Sequence, residues 1–424
     1  MKSHLHKSTV ICIAFLYLWW IRRFLTNNGE RRLSLQPAFT GGGFLQSFRF
    51  EVAGERPHGV NVFTARQLIV PANEPVRKYE DALLGELQAS LPKGTYTVKR
   101  SLTGCFHDQW LRTDIDSRLQ TSAFKVHTHA GRCPLSRQRH VRKLVANGSS
   151  EVRAECGQIS DIFKFGYWTD DGWESHQCAV HDTGETFHEQ KIFIHIAGDS
   201  VARGMLDLFC KKIDATKHHT IVDSDQRVKY RHCCDEGLNS CVIFRMSWYP
   251  LPNFSPTYVT EHWQTKETYC RESHDVLGCV STVADAAFNH RATLNQSNVW
   301  HWLFIGSHSP GVGASAETCL KFRELSLSRE NIIFFGTPAI NEELIPGKYA
   351  SQRGLRTNAR IFALNEMLAN CTSTKSFADL FTVSFSRTSS DFADAIHFKL
   401  PASDALSEVI WHSHLAATHL SNKP

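Results

Sequence analysis

Three side chains in this sequence have the types and setting for acyl-transfer chemistry. Ser200 stands in Ala197-Gly198-Asp199-Ser200-Val201-Ala202, after the apolar run Lys191-Ile192-Phe193-Ile194-His195-Ile196. The following Met205-Leu206-Asp207-Leu208-Phe209-Cys210 has helical spacing of apolar residues. The order is strand, tight turn, helix, with the serine at the turn. Backbone N–H groups and the helix dipole converge there and can hold a developing oxyanion. Open α/β sheets also place their ligands at the carboxyl ends of strands. A serine alone is a weak nucleophile and needs a base. Asp394-Ala395-Ile396-His397 offers one, just after the apolar run Phe381-Thr382-Val383-Ser384-Phe385. An Asp three residues before a His can orient the imidazole through Nδ1 and leave Nε2 for the serine. A Gly-Asp-Ser turn or an Asp-x-x-His alone is commonplace. Their joint presence, in this order and beside strand-like runs, points to a Ser200–His397–Asp394 triad.

The pair of motifs resembles the SGNH (GDSL) hydrolase superfamily. Within it, the likeness is to the PC-esterase, trichome-birefringence-like and neurexophilin-like branch of glycan O-acyltransferases and esterases. Gly198, Asp199, Ser200 and Arg203 match that family's first block, and Asp394 and His397 its last. The stretch Phe398-Lys399-Leu400-Pro401-Ala402-Ser403-Asp404-Ala405-Leu406 is similar to the segment after the last block in the plant members. The resemblance covers roughly residues 156–420. It implies Ser-His-Asp acyl transfer through a covalent acyl-serine, with either water or a sugar hydroxyl as acceptor. It also implies Gly and Asn blocks that complete the oxyanion hole. Here the nearest Asn-block candidate is Phe304-Ile305-Gly306-Ser307-His308-Ser309, with His308 where Asn is usual. The Gly block should fall near residues 242–248, where Arg245 is the polar group of interest.

The amino terminus reads as a targeting segment. Thr9 to Ile21 is free of charge and is followed by Arg22 and Arg23. It is short for a span of about 20 residues, and bulky Trp19, Trp20 and Phe24 stand where a cleavage site would need small residues. The expectation is an uncleaved signal anchor with snorkelling arginines, hence a type II protein of the Golgi or another secretory membrane with a lumenal catalytic domain. Cleavage would instead give a secreted chain. Cys12 lies in the apolar run, and the other twelve of the 13 cysteines form an even set, as an oxidising compartment requires. Sequons at Asn147, Asn253, Asn295 and Asn370 agree, that at Asn253 being weakened by Pro256. The net charge of +5 is mild and partly confined to the first 32 residues. Without a basic stripe interleaved with aromatics, a nucleic-acid partner is not expected. The 23 histidines are scattered, with His218-His219 read as a solvated pair. No metal site is expected.

Residues 1–25 are read as tail and anchor, 26–45 as a stem containing Gly41-Gly42-Gly43, 46–150 as an accessory region, and 156–424 as the catalytic domain. In the accessory region, Phe48 to Val52 and Tyr96 to Lys99 alternate as short strands, and Tyr79 to Leu91 has helical spacing. This region is either packing or a sugar-binding module. Aromatics before the serine strand, Phe163, Phe165, Tyr167, Trp168 and Trp173, are either core or a sugar platform. Beyond Ser200, strand-like runs recur at Cys241 to Trp248, Val299 to Ile305, Ile332 to Phe335 and Leu380 to Phe385. Helical patterns lie at Ala316 to Leu327 and Thr357 to Leu368. Residues 211–240 read as a surface excursion. The expected fold is a three-layer α/β/α sandwich on a mainly parallel five-stranded, flavodoxin-like sheet, with a small β-rich N-terminal region.

The expected activity is O-acyl or O-acetyl transfer to a glycan, or ester hydrolysis on one. No bound cofactor is expected; a transferase takes an acetyl donor as co-substrate. Partners would be a glycan and, through the anchor, a membrane. The alternative is a non-catalytic glycan-binding or receptor-like protein of the same fold.

Overall fold

The computed structural model describes residues 44–55, 61–107, 140–148, 156, 158–169, 172–179, 193–222, 228–235, 240–246, 299–307, 316–328, 331–346, 356–372 and 376–421. The proposed anchor and residues 26–43 of the proposed stem lie outside them; the last two stem residues, Phe44 and Leu45, instead begin the first strand. Among the described residues no helix is long and apolar enough to cross a membrane. Residues Gly42–Pro424 form one compact unit.

The alternating segments of the first third pair as an antiparallel sheet, in the order β2-β1-β3-β4. Its strands are β1 (Phe44–Glu55), β2 (Asn61–Pro71), β3 (Gly94–His107) and β4 (His140–Ala146). Alternation puts Phe50, Val52, Tyr96, Val98 and Leu144 into one core. Helix α1 (Val76–Ser90) covers that face with Leu83 and Leu87. A short helix α2 (Ile159–Lys164) and a hairpin of β5 (Gly166–Thr169) and β6 (Gly172–Ser175) come next. Phe165 and Tyr167 join the core of the first sheet, while Ile159, Ile162, Phe163 and Trp173 join that of the second. These aromatics are therefore packing, and only Trp168 remains half-buried.

The second sheet has seven strands in the order β13-β12-β11-β7-β10-β9-β8. They are β7 (Phe193–Gly198), β8 (Lys217–Val222), β9 (Val228–Cys234), β10 (Cys241–Met246), β11 (Val299–Phe304), β12 (Ile332–Phe335) and β13 (Phe377–Ala378). Parallel pairing runs unbroken from β10 through β7, β11 and β12 to β13. On the other edge, β9 and β8 add in antiparallel sense. Over all the described sheets, antiparallel pairings outnumber parallel ones, so the architecture is mixed α/β. Central strands are apolar on both faces, as all four buried residues of β12 illustrate. One face carries Ile194, Ile196, Val242, Phe244, Trp302, Phe304 and Phe335 against α2, α3 (Ser200–Lys212) and α7 (Leu400–Ser421). On the opposite face Phe334 meets Phe322 of α4 (Ala316–Ser328), with ring centroids 4.6 Å apart. The Cys319–Cys371 disulfide ties α4 to α5 (Asn358–Cys371).

Two sequence expectations are corrected. Leu380–Phe385 is not a strand but a helix, α6, and the strand in this part of the chain is the two-residue β13 just before it. All six residues of α6 are buried, so periodicity could not distinguish the two forms. Asp379 decides it by accepting the Phe381 N–H at 3.1 Å as N-cap. Residues 211–240 are not a surface excursion either. They supply β8 and β9, which enlarge the sheet from the expected five strands to seven. Cys233 and Cys234, adjacent on β9, point to opposite faces and pair with Cys210 of α3 and Cys241 of β10. The Cys156–Cys178 disulfide and the disulfide-bonded Cys105 complete the described set. Of the sequons, Asn147 and Asn370 are exposed, the first just after β4 and the second in the last turn of α5. Asn253 and Asn295 lie outside the described residues.

Where the first sheet meets α5 and α6, Glu366 carries a carboxyl pushed up to about 7. Burial is the main cause; Arg66 pulls it back, while Asp379 and Glu86 push it further. The folded state thus holds this proton more tightly than the unfolded one. The cost is absent below pH 4.5, grows as pH rises, and is complete above about 7. Glu366→Gln is therefore expected to raise the thermal midpoint at pH 8 by a few degrees, corresponding to on the order of 2 kcal/mol. It should leave the midpoint unchanged at pH 4.5; paired melts at the two pH values check this.

Candidate active site

Ser200 is the first residue of α3, set directly on the end of β7. The turn works because Gly198 has no side chain: a Cβ there would stand 2.6 Å from the Ala202 Cβ and 2.8 Å from that of Phe304. Asp199 caps the helix, its Oδ1 accepting the Val201 N–H at 3.0 Å. The Val201 amide is thereby occupied within the cap. The other carboxylate oxygen, Oδ2, accepts both the N–H and the hydroxyl of Ser307, at 2.6 and 2.7 Å. Asp199 is fully buried and so clamps the turn after β11 to the base of α3.

Gly306 in that turn has φ of +82°, and a Cβ on it would press on Asp199 Oδ2 at 3.3 Å. Left-handed backbone and close approach both call for glycine. Its carbonyl accepts from Thr337 Oγ1 at 2.9 Å. Asn365 in turn holds the Thr337 backbone by a pair of bonds, at 3.0 and 2.9 Å. The Ser200 turn is thus wired through buried polar groups to α5. Sequence reasoning alone does not single out Ser307, Thr337 or Asn365; its one signal is the Gly306–His308 turn, in which Ser307 is the residue that acts. Asp199→Ala removes a cap and leaves two buried donors of Ser307 unmet. The expected cost is about 3 kcal/mol by denaturant unfolding, against a much smaller one for a surface Asp→Ala control.

Asp394 and His397 sit on a short loop between α6 and α7. Its entry is a 3-10 turn, Ser389–Asp391, closed by a reciprocal Thr388–Asp391 capping box. Phe392 and Phe398 then form an antiparallel bridge with ring centroids 4.5 Å apart. The Ala393 N–H donates to the His397 carbonyl at 2.8 Å, and Lys399 N–H to that of Asp391 at 2.8 Å. From outside, Asn341 N–H donates to the Ala395 carbonyl at 2.9 Å. Within the loop, Asp394 Oδ1 accepts the Ile396 and His397 amides at 2.7 and 2.8 Å. Its Oδ2 faces His397 Nδ1 at 2.8 Å. The opposite ring nitrogen, Nε2, stands 2.8 Å from Ser200 Oγ. A carboxylate on Nδ1 fixes the proton there and leaves Nε2 to accept from the serine hydroxyl.

Partial burial alone would raise the Asp394 carboxyl. The bond from the His397 ring, the two backbone N–H bonds and the attraction of His397 outweigh it and hold the group below its ordinary 3.8. Asp394 is accordingly a carboxylate across the neutral and mildly acidic range. His414 on α7 offers no competing base: it is enclosed by Trp300, Trp302 and Trp411, and burial drives its pKa down to about 3.

Residues 197 positions apart in the chain are therefore brought into one hydrogen-bonded line, with Gly198, Asp199 and Gly306 shaping its base. Arg203 lies one turn into α3 on the side of Ser200 and is half-buried. Arg245 is in β10, in register with Ala197 of the serine strand, but its side chain lies outside the described residues, as does His308. Among the described residues, no group of three or more His, Cys, Asp or Glu side chains converges as a cation site would require. No protein-family model matches the chain, and comparison with curated proteins and with solved structures finds no match.

Proposed function

We propose that this chain is a serine-dependent acyl-transfer enzyme of the secretory pathway, acting on glycan esters or transferring acetyl groups to glycan hydroxyls. The observation that carries the reading is the Asp394–His397–Ser200 line, with both bonds at 2.8 Å and the serine at a strand–helix junction. In the proposed first half-reaction, Ser200 Oγ attacks the acyl carbon while His397 Nε2 takes its proton. The carbonyl oxygen becomes an oxyanion beside the start of α3, where the Ser200 N–H and the helix dipole favour negative charge. His397 returns the proton to the departing oxygen, leaving an acyl-serine. In the second half, a sugar hydroxyl or water attacks that ester with His397 again as base.

The order of the parallel strands and the helices on both faces support a three-layer sandwich of the SGNH kind. The glycan as substrate class rests on the motif resemblance. The even cysteines, the sequons and the apolar amino-terminal segment support a lumenal domain behind a type II anchor. The test is to treat the full-length chain with a fluorophosphonate probe and with para-nitrophenyl acetate, beside Ser200→Ala. Labelling and acetate release confined to the wild type uphold the reading; a folded wild type that neither labels nor turns over refutes it.

A further inference from the structure

The loop that bears Asp394 and His397 is not seated by the serine sheet alone. It emerges from α6, and side chains of the first sheet and its hairpin grip that helix. Arg49 of β1 lies with its guanidinium carbon 4.2 Å from the ring centre of Phe385, the last residue of α6. Arg66 of β2 donates to Thr382 Oγ1 at 3.3 Å and lies 4.9 Å over Phe165. Thr382 is itself anchored on the Asp379 cap at 2.6 Å. Trp168 of β5 donates its indole N–H to the Val383 carbonyl at 2.9 Å. The same indole carries Arg387, whose guanidinium carbon lies 3.6 Å over the ring. Arg387 directly precedes the Thr388–Asp391 capping box, from which the chain passes without a free joint to Phe392, Asp394 and His397.

Each of these contacts is of a kind that holds an angle. A partly buried indole N–H to a helix carbonyl fixes the ring, and a guanidinium drawn partly out of water onto a Trp face makes a cation–π pair stronger than a fully exposed one. Burial lowers the Arg387 pKa in spite of the neighbouring Asp391 carboxylate, in keeping with a guanidinium drawn out of water. With Arg387 on its face and Trp173 edge-on at 5.4 Å, Trp168 is engaged as a strut, not open as a platform for a sugar ring.

We infer that Trp168 and Arg387 are positioning residues, which hold the root of the Asp394–His397 loop so that Nε2 meets Ser200, and that the first sheet and its hairpin serve as the seat of the acid–base loop. The inference rests on the acyl-transfer reading above. Since Asp394 and His397 move together on one loop, loosening its root spares their pairing and disturbs the reach to Ser200. Small errors in that reach are costly in rate and neutral in substrate affinity.

The experiment compares full-length wild type, Trp168→Phe, Arg387→Ala and Arg387→Lys. It reads the steady-state constants for para-nitrophenyl acetate, the fluorophosphonate labelling rate, and the thermal midpoint. Trp168→Phe keeps an aromatic face and loses only the N–H; Arg387→Lys keeps the cation. Expected are falls of about tenfold in kcat and labelling rate for Trp168→Phe and Arg387→Ala, with KM within about twofold, and recovery of most of the loss in Arg387→Lys. Should Arg387→Ala fail to fold, Trp168→Phe decides alone. Unchanged kcat and labelling in folded variants overturn the inference while leaving the triad intact. So does a loss confined to KM, which would make these residues substrate contacts. A wild type that does not label overturns the acyl-transfer reading itself.

Discussion

Ser200→Ala should end covalent labelling completely and lower acetate release by a factor of about 10³ or more, with an unchanged melting profile. The Ser200 hydroxyl has one described side-chain partner, His397 Nε2 at 2.8 Å. The helix start does not depend on it, because Asp199 supplies the cap. Removing Oγ therefore deletes the proposed nucleophile and little else. His397→Ala should have an effect of similar size, since it takes away the one group among the described residues placed to receive the Oγ proton. The two groups act in one step, so the double variant should be no slower than the worse single one. Additive losses, or substantial labelling of the His397 variant, would mean that another base serves Ser200 or that the serine does not react. Stopped-time labelling and initial rates of all four proteins, the wild type, the two single variants and the double variant, measured beside their melts, separate these outcomes.

The serine end of the site was legible because it is local. Gly198, Asp199 and Ser200 are consecutive, and a strand-to-helix switch in periodicity brackets them. The Asp394–His397 pair is equally local, and its internal bonding spans only four residues. Long-range polar wiring, by contrast, leaves no mark in the sequence. Ser307 meets Asp199 across 108 positions, and Thr337 meets Gly306 across 31. No periodicity marks a serine that bonds a buried carboxylate. The fold errors have a similar origin. Residues 380–385 are buried on every side, so alternation carried no information, and Asp379 settled the matter as a cap. The segment holding β8 and β9 looked like surface because it is rich in Lys and His. Its place in the sheet follows from Cys233 and Cys234 reaching opposite faces of β9. Two strands of the first sheet, β1 and β3, show in the sequence as alternation, but the grip of that sheet and the β5–β6 hairpin on α6 depends on Arg49, Arg66 and Trp168, whose types alone suit a surface or a core equally well.

Asp394→Asn should cost about 10³ to 10⁴ in turnover without unfolding the loop, and the reason is specific to the bonding here. One oxygen of Asp394 accepts two backbone N–H groups, and the other accepts the His397 ring N–H. An amide has only one oxygen to give. The two backbone donors are fixed in the turn, so the oxygen must stay with them and the NH₂ must face Nδ1. A donor against Nδ1 forces the ring proton onto Nε2, which then faces Ser200 and can no longer accept from it. The loop keeps its backbone bonds, whereas Asp394→Ala would lose these as well and should melt lower. The charge also fixes the sign of the acid response. A carboxyl held below 3.8 when folded adds stability above its unfolded pKa and gives it up only as pH falls through the lower folded value. Between pH 5 and 8 Asp394 should therefore contribute no titration of its own to the wild-type labelling rate. Labelling rates of wild type, Asn and Ala variants at half-unit pH steps test this, and retention of more than a tenth of wild-type activity by the Asn variant would remove Asp394 from the triad.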